Sequence, residues 1–396
     1  MTSESGHSGG CQEYLELERR AVLGTLWRAG ALAAISSPAW LPRMAFAADG
    51  GSGRDLIVCV FLRGGADGLT LCVPHGDDGY YTARPKIAVP RPDDNATAKA
   101  IDLDGFFGLP PGLAPLKPIY DAGQLAVVHA AGSTDPTRSH FEAQDIMEVG
   151  SAGIASAATG WLARHLLSIE APTDARLRAI AASTAIPRSL SGAPSAIAVP
   201  NIEAYGLKGR PKTVTDRQSL LASLYDSDLE PARASASNVI ATIDLIDQVS
   251  EAGYTPAGGA AYPDDAWGTG LRTIAQLAKA DVGLEVACID LGGWDTHANQ
   301  GALDGQMNAV MTKLANGFAA FHADMLDRLG SLTVVVMTEF GRRVSENASG
   351  GCDHGHGNAM FLMGGHVSGG QVFADWPGLD PDVLYENRDL VITTDY

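Results

Sequence analysis

Basic side chains are scarce in this 396-residue sequence: 28 Lys and Arg stand against 46 Asp and Glu, for a net charge of −18. Nucleic acids and anionic lipid surfaces need a positive field, so neither partner is expected. Cysteine is scarce too. Cys11, Cys59, Cys72, Cys288 and Cys352 form no CxxC pair, and an odd number is no disulfide framework. The lack of cysteine pairs also speaks against a structural zinc site built from four cysteines. The sequence has no internal repeat, no Walker loop and no G-x-G-x-x-G, so the commonest nucleotide cradles are absent. No stretch supplies the roughly 20 apolar residues of a stable membrane span.

What is present begins with an address. Glu18-Arg19-Arg20-Ala21-Val22-Leu23-Gly24 leads into a moderately apolar stretch interrupted by Arg28, and Ala45-Phe46-Ala47 has the small-x-small form read by a signal peptidase. Residues 1–47 therefore look like a twin-arginine export signal. The translocase and the peptidase would be its partners, and the destination periplasmic or secreted. The alternative is an amphipathic N-terminal helix. Twin-arginine export usually carries folded chains, which fits a metal acquired before export.

Residues 48–396 then read as one α/β domain. Leu56 to Leu62, Gln124 to His129, Leu284 to Leu291, Leu332 to Met337 and Ala359 to Met363 are apolar runs of the kind buried on both faces of a parallel sheet. Helical spacing lies between them. Leu113, Leu116 and Ile119 share one face; Met307, Met311, Leu314, Phe318, Phe321 and Met325 share another, with Gly330 as the stop. Ser139-His140-Phe141-Glu142 has the form of a capping box, opening a helix to about Val149. Residues 170–265 are less regular. They hold short strands at Leu177 to Ala182 and Ala196 to Val199 and helices near Leu220 to Leu229 and Val239 to Val249, and read as an inserted cap or subdomain.

Polar residues gather where strands end, as in the sites of open α/β sheets. Asp295-x-His297 puts a carboxylate and an imidazole on the same side of an extended segment. Asp353, His354 and His356 lie on a glycine-rich loop, and Glu339 and Asp67 end two further strands. Any one such cluster fits a solvated turn. Together they point to a divalent cation, since hard oxygens mixed with imidazole suit Zn, Mn or Mg, with Ca a further option. Ser139 is either a nucleophile at a helix N-terminus or a simple N-cap. Arg138 or Arg63 either neutralises an anionic substrate or forms an ordinary ion pair. His140 is a ligand or an acid, and His129 a core histidine.

Five motifs carry a family resemblance: Arg63-Gly64-Gly65-Ala66-Asp67-Gly68-Leu69, the Asp135 to Asp145 stretch around Arg138-Ser139-His140, Gly292-Gly293-Trp294-Asp295-Thr296-His297, Glu339-Phe340-Gly341-Arg342, and Asp353-His354-Gly355-His356-Gly357. They resemble, in order, the exported bacterial family catalogued as domain of unknown function 1501, which is similar to the alkaline phosphatase and sulfatase superfamily. The resemblance implies a three-layer α/β/α sandwich with a mostly parallel sheet and a bimetallic site. It implies Asp67 as the first metal aspartate, Ser139 in the nucleophile's place, Asp295 and His297 on one metal, and His354 or His356 as the last histidine ligand. Where that superfamily has adjacent Asp-His, this chain has Glu339-Phe340. No C-x-P-x-R surrounds a cysteine, so the formylglycine route is absent. Family members commonly continue beyond Thr393-Thr394-Asp395-Tyr396.

The expectation is an exported metal-dependent hydrolase of small phosphate or sulfate esters, with a non-catalytic exported scaffold of the same fold as the rival. A lyase or mutase on the same scaffold is a third option.

Overall fold

A strand with no polar interior has to be covered on both faces, and β1 (Leu56–Arg63) accordingly lies at the middle of a nine-stranded sheet. The computed structural model describes residues 55–150, 159–170, 177–206, 213–224 and 230–396. The expected export signal lies outside them. The remaining strands are β2 (Leu125–Gly132), β3 (Ala179–Ala181), β4 (Ala196–Ala198), β5 (Val286–Gly292), β6 (Leu332–Met337), β7 (Asn358–Gly364), β8 (Gln371–Phe373) and β9 (Thr394–Asp395). Their order across the sheet is β8-β2-β7-β6-β1-β5-β3-β4, and β9 also pairs with β2. All pairings are parallel except those of β7, which runs against β2 and β6.

The flanking helices are α1 (His140–Val149), α2 (Trp161–Ser168), α3 (Glu230–Glu251), α4 (Ala266–Lys279) and α5 (Gln306–Asp324). Strand alternation divides β1 between two cores. Leu56, Val58, Val60 and Leu62 pack in one core with Ile246 of α3, with Leu271 and Ile274 of α4, and with Met311, Leu314 and Phe318 of α5. Ile57, Cys59 and Phe61 pack with Met147 of α1 and Leu162 and Leu166 of α2. Each such side chain stabilises the fold by about 1.5–3 kcal/mol when fully buried. The result is the three-layer α/β/α arrangement. Among the described residues no helix is long and apolar enough to cross a membrane, and Cys59, Cys72, Cys288 and Cys352 are free and buried.

Three expectations need correction. The stretch 170–265 is not wholly an inserted cap: β3 pairs with β5 and β4 with β3, so it supplies one edge of the central sheet. Three-residue, alanine-rich strands carry too little pattern to show this. The helix over Met307 to Met325 ends at Asp324, and a 3-10 turn, Leu326–Ser331, carries the chain past Gly330. The capping box does not form. Ser139 occupies the N-cap position of α1 without a side-chain cap bond, and Glu142 instead accepts from Thr137 Oγ1 at 2.8 Å.

His129 is a core histidine that shapes β2. Its Nε2–H donates to the Cys72 carbonyl at 2.8 Å and its Nδ1 accepts from Ala130 N at 2.7 Å. Ala130 takes φ 53°, and the register against β7 shifts between His129 and Ala131. A bulge of this kind re-aims the chain leaving a strand. Here it steers the segment that leads to Ser139 and His140.

Candidate metal centre

Because β7 runs backwards, the loop before it lies at the same edge of the sheet as the loops after β2, β5 and β6. His354 comes from that loop, Asp295 and His297 follow β5, Glu339 follows β6, and His140 opens α1 after β2. Glycines let these segments meet. Gly64 has φ 123° and Gly65 φ 61°; a Cβ on Gly64 would lie 2.7 Å from Asp295 N, and one on Gly65 2.5 Å from the Phe340 ring. Phe340 in turn packs against the rings of His140 and His354.

His140, Asp295 and His354 present ligand atoms all within 4.8 Å of one another. The tautomers follow from their other partners. His354 Nδ1 donates to the Arg138 carbonyl at 2.9 Å, which leaves Nε2 as a lone pair 3.3 Å from Asp295 Oδ1. His140 Nδ1 donates to Glu339 Oε1 at 2.8 Å, and its Nε2 is buried without a hydrogen-bond partner, 3.6 Å from Asp295 Oδ2. His297 reaches the same point: its Nε2 is 3.0 Å from Asp295 Oδ1 and 2.9 Å from His354 Nε2, and its Nδ1 faces Asp353 Oδ1 at 3.4 Å. Arg342 donates to Asp295 Oδ1 and His297 Nε2 lies within hydrogen-bond distance of Asp295 and His354, which leaves His140 Nε2 as the buried lone pair at this point with no hydrogen-bond partner, and a cation would use it. The donor set fits one.

The electrostatics agree with that assignment. Burial opposes ionisation of Asp295, yet Arg342 beside it holds its pKa down to about 2. Burial, with the nearby Arg342 charge, lowers the pKa of His354 and keeps the ring neutral, the state in which imidazole is a ligand. A buried carboxylate behind a ligating histidine fixes ring and tautomer in many metal sites. Glu339 stands so behind His140. Its Oε1 accepts from His140, from Gln144 Nε2 at 2.8 Å and from Gly64 N at 2.9 Å, and its Oε2 from Thr338 Oγ1 at 3.0 Å. Burial raises its pKa, but the Gln144 and His140 bonds prevail and hold it below the usual carboxylate range.

Other candidates are placed apart from this point. Asp67 is fully buried, and both its oxygens are engaged by Arg84 at 2.5 and 2.9 Å, with Thr70 Oγ1 and Gln300 Nε2 each at 2.7 Å. It locks a turn and does not join the cluster. Asp353 orients His297 and accepts from Asn347 Nδ2 at 3.1 Å. His356 stacks on Tyr385, ring centroids 4.5 Å apart. Arg138 is paired with Asp389 and Glu386 at 2.6 and 2.9 Å, and Arg63 with Glu148 and Asp290. Ser139 is exposed at the start of α1.

Arg342 and Gln144 had no role assigned from the sequence, although both lie inside quoted motifs. Arg342 is buried and donates to the carbonyls of Gly64, Gly65, Trp294 and Cys352 as well as to Asp295 Oδ1, so it rivets three strand-end loops. Its only signal is position, three residues beyond Glu339 at a strand end. Gln144 lies one helical turn from His140, the i, i+4 spacing that puts both on one face of α1.

A family model described as "Protein of unknown function (DUF1501)" matches residues 133–396. No curated protein sequence matches the chain. Solved structures similar to it include the alkaline phosphatase from the Antarctic bacterium TAB5, 11% identical, with 81% of this chain and 95% of that one covered at a TM-score of 0.33. Thermus thermophilus alkaline phosphatase is another, 13% identical, covering 73% and 60% at a TM-score of 0.30. Neither likeness is close enough to carry an argument.

Proposed function

Since the chain belongs to the family described as protein of unknown function DUF1501, whose name assigns no chemistry, we propose a function from the cluster itself: a metal-dependent hydrolase of phosphate or sulfate esters, exported through the signal read in residues 1–47. One observation carries the reading. The buried, unpartnered His140 Nε2 converges on Asp295 together with His354 Nε2, which also faces His297 Nε2. His140, Asp295 and His354 would hold a divalent cation with His297 as the fourth donor, and one oxygen with three imidazoles suits Zn best. Bound there, such an ion supplies Lewis acidity toward a non-bridging ester oxygen and favours ionisation of a nearby hydroxyl.

The chain's own residues supply the rest. Glu339 and the Arg138 carbonyl hold the His140 and His354 rings in the ligating tautomer. Ser139, next to His140 in sequence and uncommitted as a cap, is the nucleophile. Its Oγ bonds to phosphorus or sulfur as the bond to the alcohol oxygen breaks, the hydroxyl proton leaving to water and the alcoholate taking one from water; a second water then bonds to the phosphorus or sulfur as the bond to Oγ breaks, which releases phosphate or sulfate and restores the Ser139 hydroxyl.

A specific observation favours the second reading, a cation-holding scaffold: both arginines singled out for the anion are held in ion pairs. Elemental analysis of the folded protein tests the site. About one equivalent of Zn or Mn is expected in wild type and little in Asp295→Asn or His354→Ala; a metal-free, stably folded wild type would sink the site and the hydrolase with it. Ser139→Ala separates the readings. As Ser139 makes no cap bond, its loss should change stability by less than about 0.5 kcal/mol, while turnover of 4-nitrophenyl esters falls by at least about a hundredfold with metal retained. Unchanged turnover assigns the nucleophile elsewhere, and no turnover in wild type leaves the scaffold.

A further inference from the structure

Arg138, a candidate from the sequence for binding an anion, is held by a carboxylate 251 residues away. Its Nε and Nη2 both donate to Asp389 Oδ2, at 3.1 and 2.6 Å, and Nη2 donates also to Glu386 at 2.9 Å. Asp389 is fully buried, and its Oδ1 has no hydrogen-bond partner among the described residues. A buried carboxylate that served stability alone would bond through both oxygens, because an idle one costs desolvation that nothing offsets. This one is committed through a single oxygen to Arg138, with Arg388 Nε farther off at 3.8 Å. The other end of Arg138 reaches the cluster: its carbonyl accepts from His354 Nδ1 at 2.9 Å. The segment bearing that carbonyl bonds locally, the amides of Asp135, Thr137 and Ser139 donating to Ser133 Oγ, Asp135 Oδ1 and Thr137 Oγ1. Asp389 is in turn fixed to the strand-end loops. Its backbone bridges Arg343, the neighbour of Arg342, and exchanges hydrogen bonds with Tyr385 at 3.0 and 2.9 Å. One chain of contacts thus runs from Asp389 through Arg138 to His354.

We infer that Asp389 is a positioning residue for the candidate metal centre. By fixing the Arg138 side chain it holds the Arg138 carbonyl toward His354 Nδ1, which keeps the ring proton there and leaves Nε2 without one. A neutral imidazole released from that carbonyl is free to carry its proton on Nε2, where it cannot ligate. The inference rests on the cation reading of the cluster and adds a support to it from the far end of the chain. It also gives Arg138 an orienting role in place of a hold on the substrate.

The test takes two readouts on the full chain, one of them without metal. In metal-free protein carrying isotope-labelled histidine, long-range proton–nitrogen spectra, assigned with His354→Gln, should show the wild-type His354 proton on Nδ1, and Asp389→Ala should move it wholly or partly to Nε2. Zn affinity, measured by competition with a chromophoric chelator, should fall about tenfold in Asp389→Ala, the lower end of what losing the support behind a ligand costs. Asp389→Asn keeps an acceptor for Arg138 and should recover part of both. Glu285→Gln is the control for lost stability. It weakens a buried ion pair with Arg178 where β5 begins, at the opposite end of that strand from Asp295, and should move neither readout. An unchanged tautomer in Asp389→Ala overturns the inference, as does unchanged Zn affinity or an equal loss in Glu285→Gln. If wild type takes up no Zn, the cation reading falls, and the tautomer alone decides whether Asp389 positions His354. Should Asp389→Ala fail to fold, Arg138→Met, at the partly exposed end of the same ion pair, gives both readouts with the same expected and overturning results.

Discussion

Arg84→Met is expected to lower the unfolding free energy by about 3–5 kcal/mol, the usual result of stripping one partner from a buried ion pair. Asp67 and Arg84 are both 0% exposed. Burial alone would raise the Asp67 pKa, and it is chiefly the Arg84 charge that holds it below the ordinary aspartate range. Without Arg84 the carboxylate keeps only the neutral donors Thr70 and Gln300. Arg84 also donates to the Val344 and Arg343 carbonyls at 2.8 and 2.9 Å, so the loop toward Asp353 and His354 should loosen and cation affinity fall with stability. The double change Asp67→Asn with Arg84→Met should cost less than Arg84→Met alone, because no charge is then left unpaired. Urea unfolding measures both. A loss under about 1 kcal/mol for Arg84→Met would show that Asp67 does not depend on Arg84 for its counter-charge.

The second large effect is acid sensitivity through His129. Its ring is buried, and burial pushes its pKa down to about 4, against weaker opposing contributions from the Cys72 carbonyl and the Asp67 charge. The unfolded chain binds the proton near pH 6.5 and the folded one only near 4. Stability is therefore complete above about pH 6.5 and declines as pH falls toward 4, by about 2 kcal/mol at pH 5 and about 3 kcal/mol at the lower limit. His322, His354 and His356 are shifted in the same direction by burial and add to the slope. Comparing urea midpoints at pH 7 and pH 5 for wild type and His129→Gln isolates the contribution. The variant starts less stable, since its side chain cannot remake both bonds at the β2 bulge, but it should lose about 2 kcal/mol less between the two pH values. Parallel declines would mean that His129 opens to water before it titrates.

Why some of this was legible in the sequence and some was not is a matter of range. The runs at Leu56, Leu284 and Leu332 announce buried strands because every residue in them must avoid water, and that requirement is local. Asp295, His297 and His354 could be named because polar groups at the ends of such strands have few purely structural reasons to gather. Asp67 met the same criterion and answers to Arg84, whose segment has no periodicity to flag it. Glu339 and His140 were both marked, but which one offers a free donor atom to the candidate metal site depends on how many donors surround each; Glu339 has four and His140 Nε2 has none. His354 and His356 are separated by one glycine, and segments remote in sequence distinguish them: the Arg138 carbonyl accepts from His354, and Tyr385 stacks on His356.

The central position of β1 also sets an order of assembly. Its two sheet neighbours, β5 and β6, begin 230 or more residues later in the chain. A nascent chain must therefore carry this apolar strand unpaired through most of synthesis, with the closure entropy of that long loop still opposing it. Until residue 292 has emerged, β1 has neither of its sheet neighbours and is exposed to aggregation. Slower elongation ahead of that point should aggravate aggregation, whereas slower elongation beyond residue 337, once β5 and β6 are both available, should be harmless.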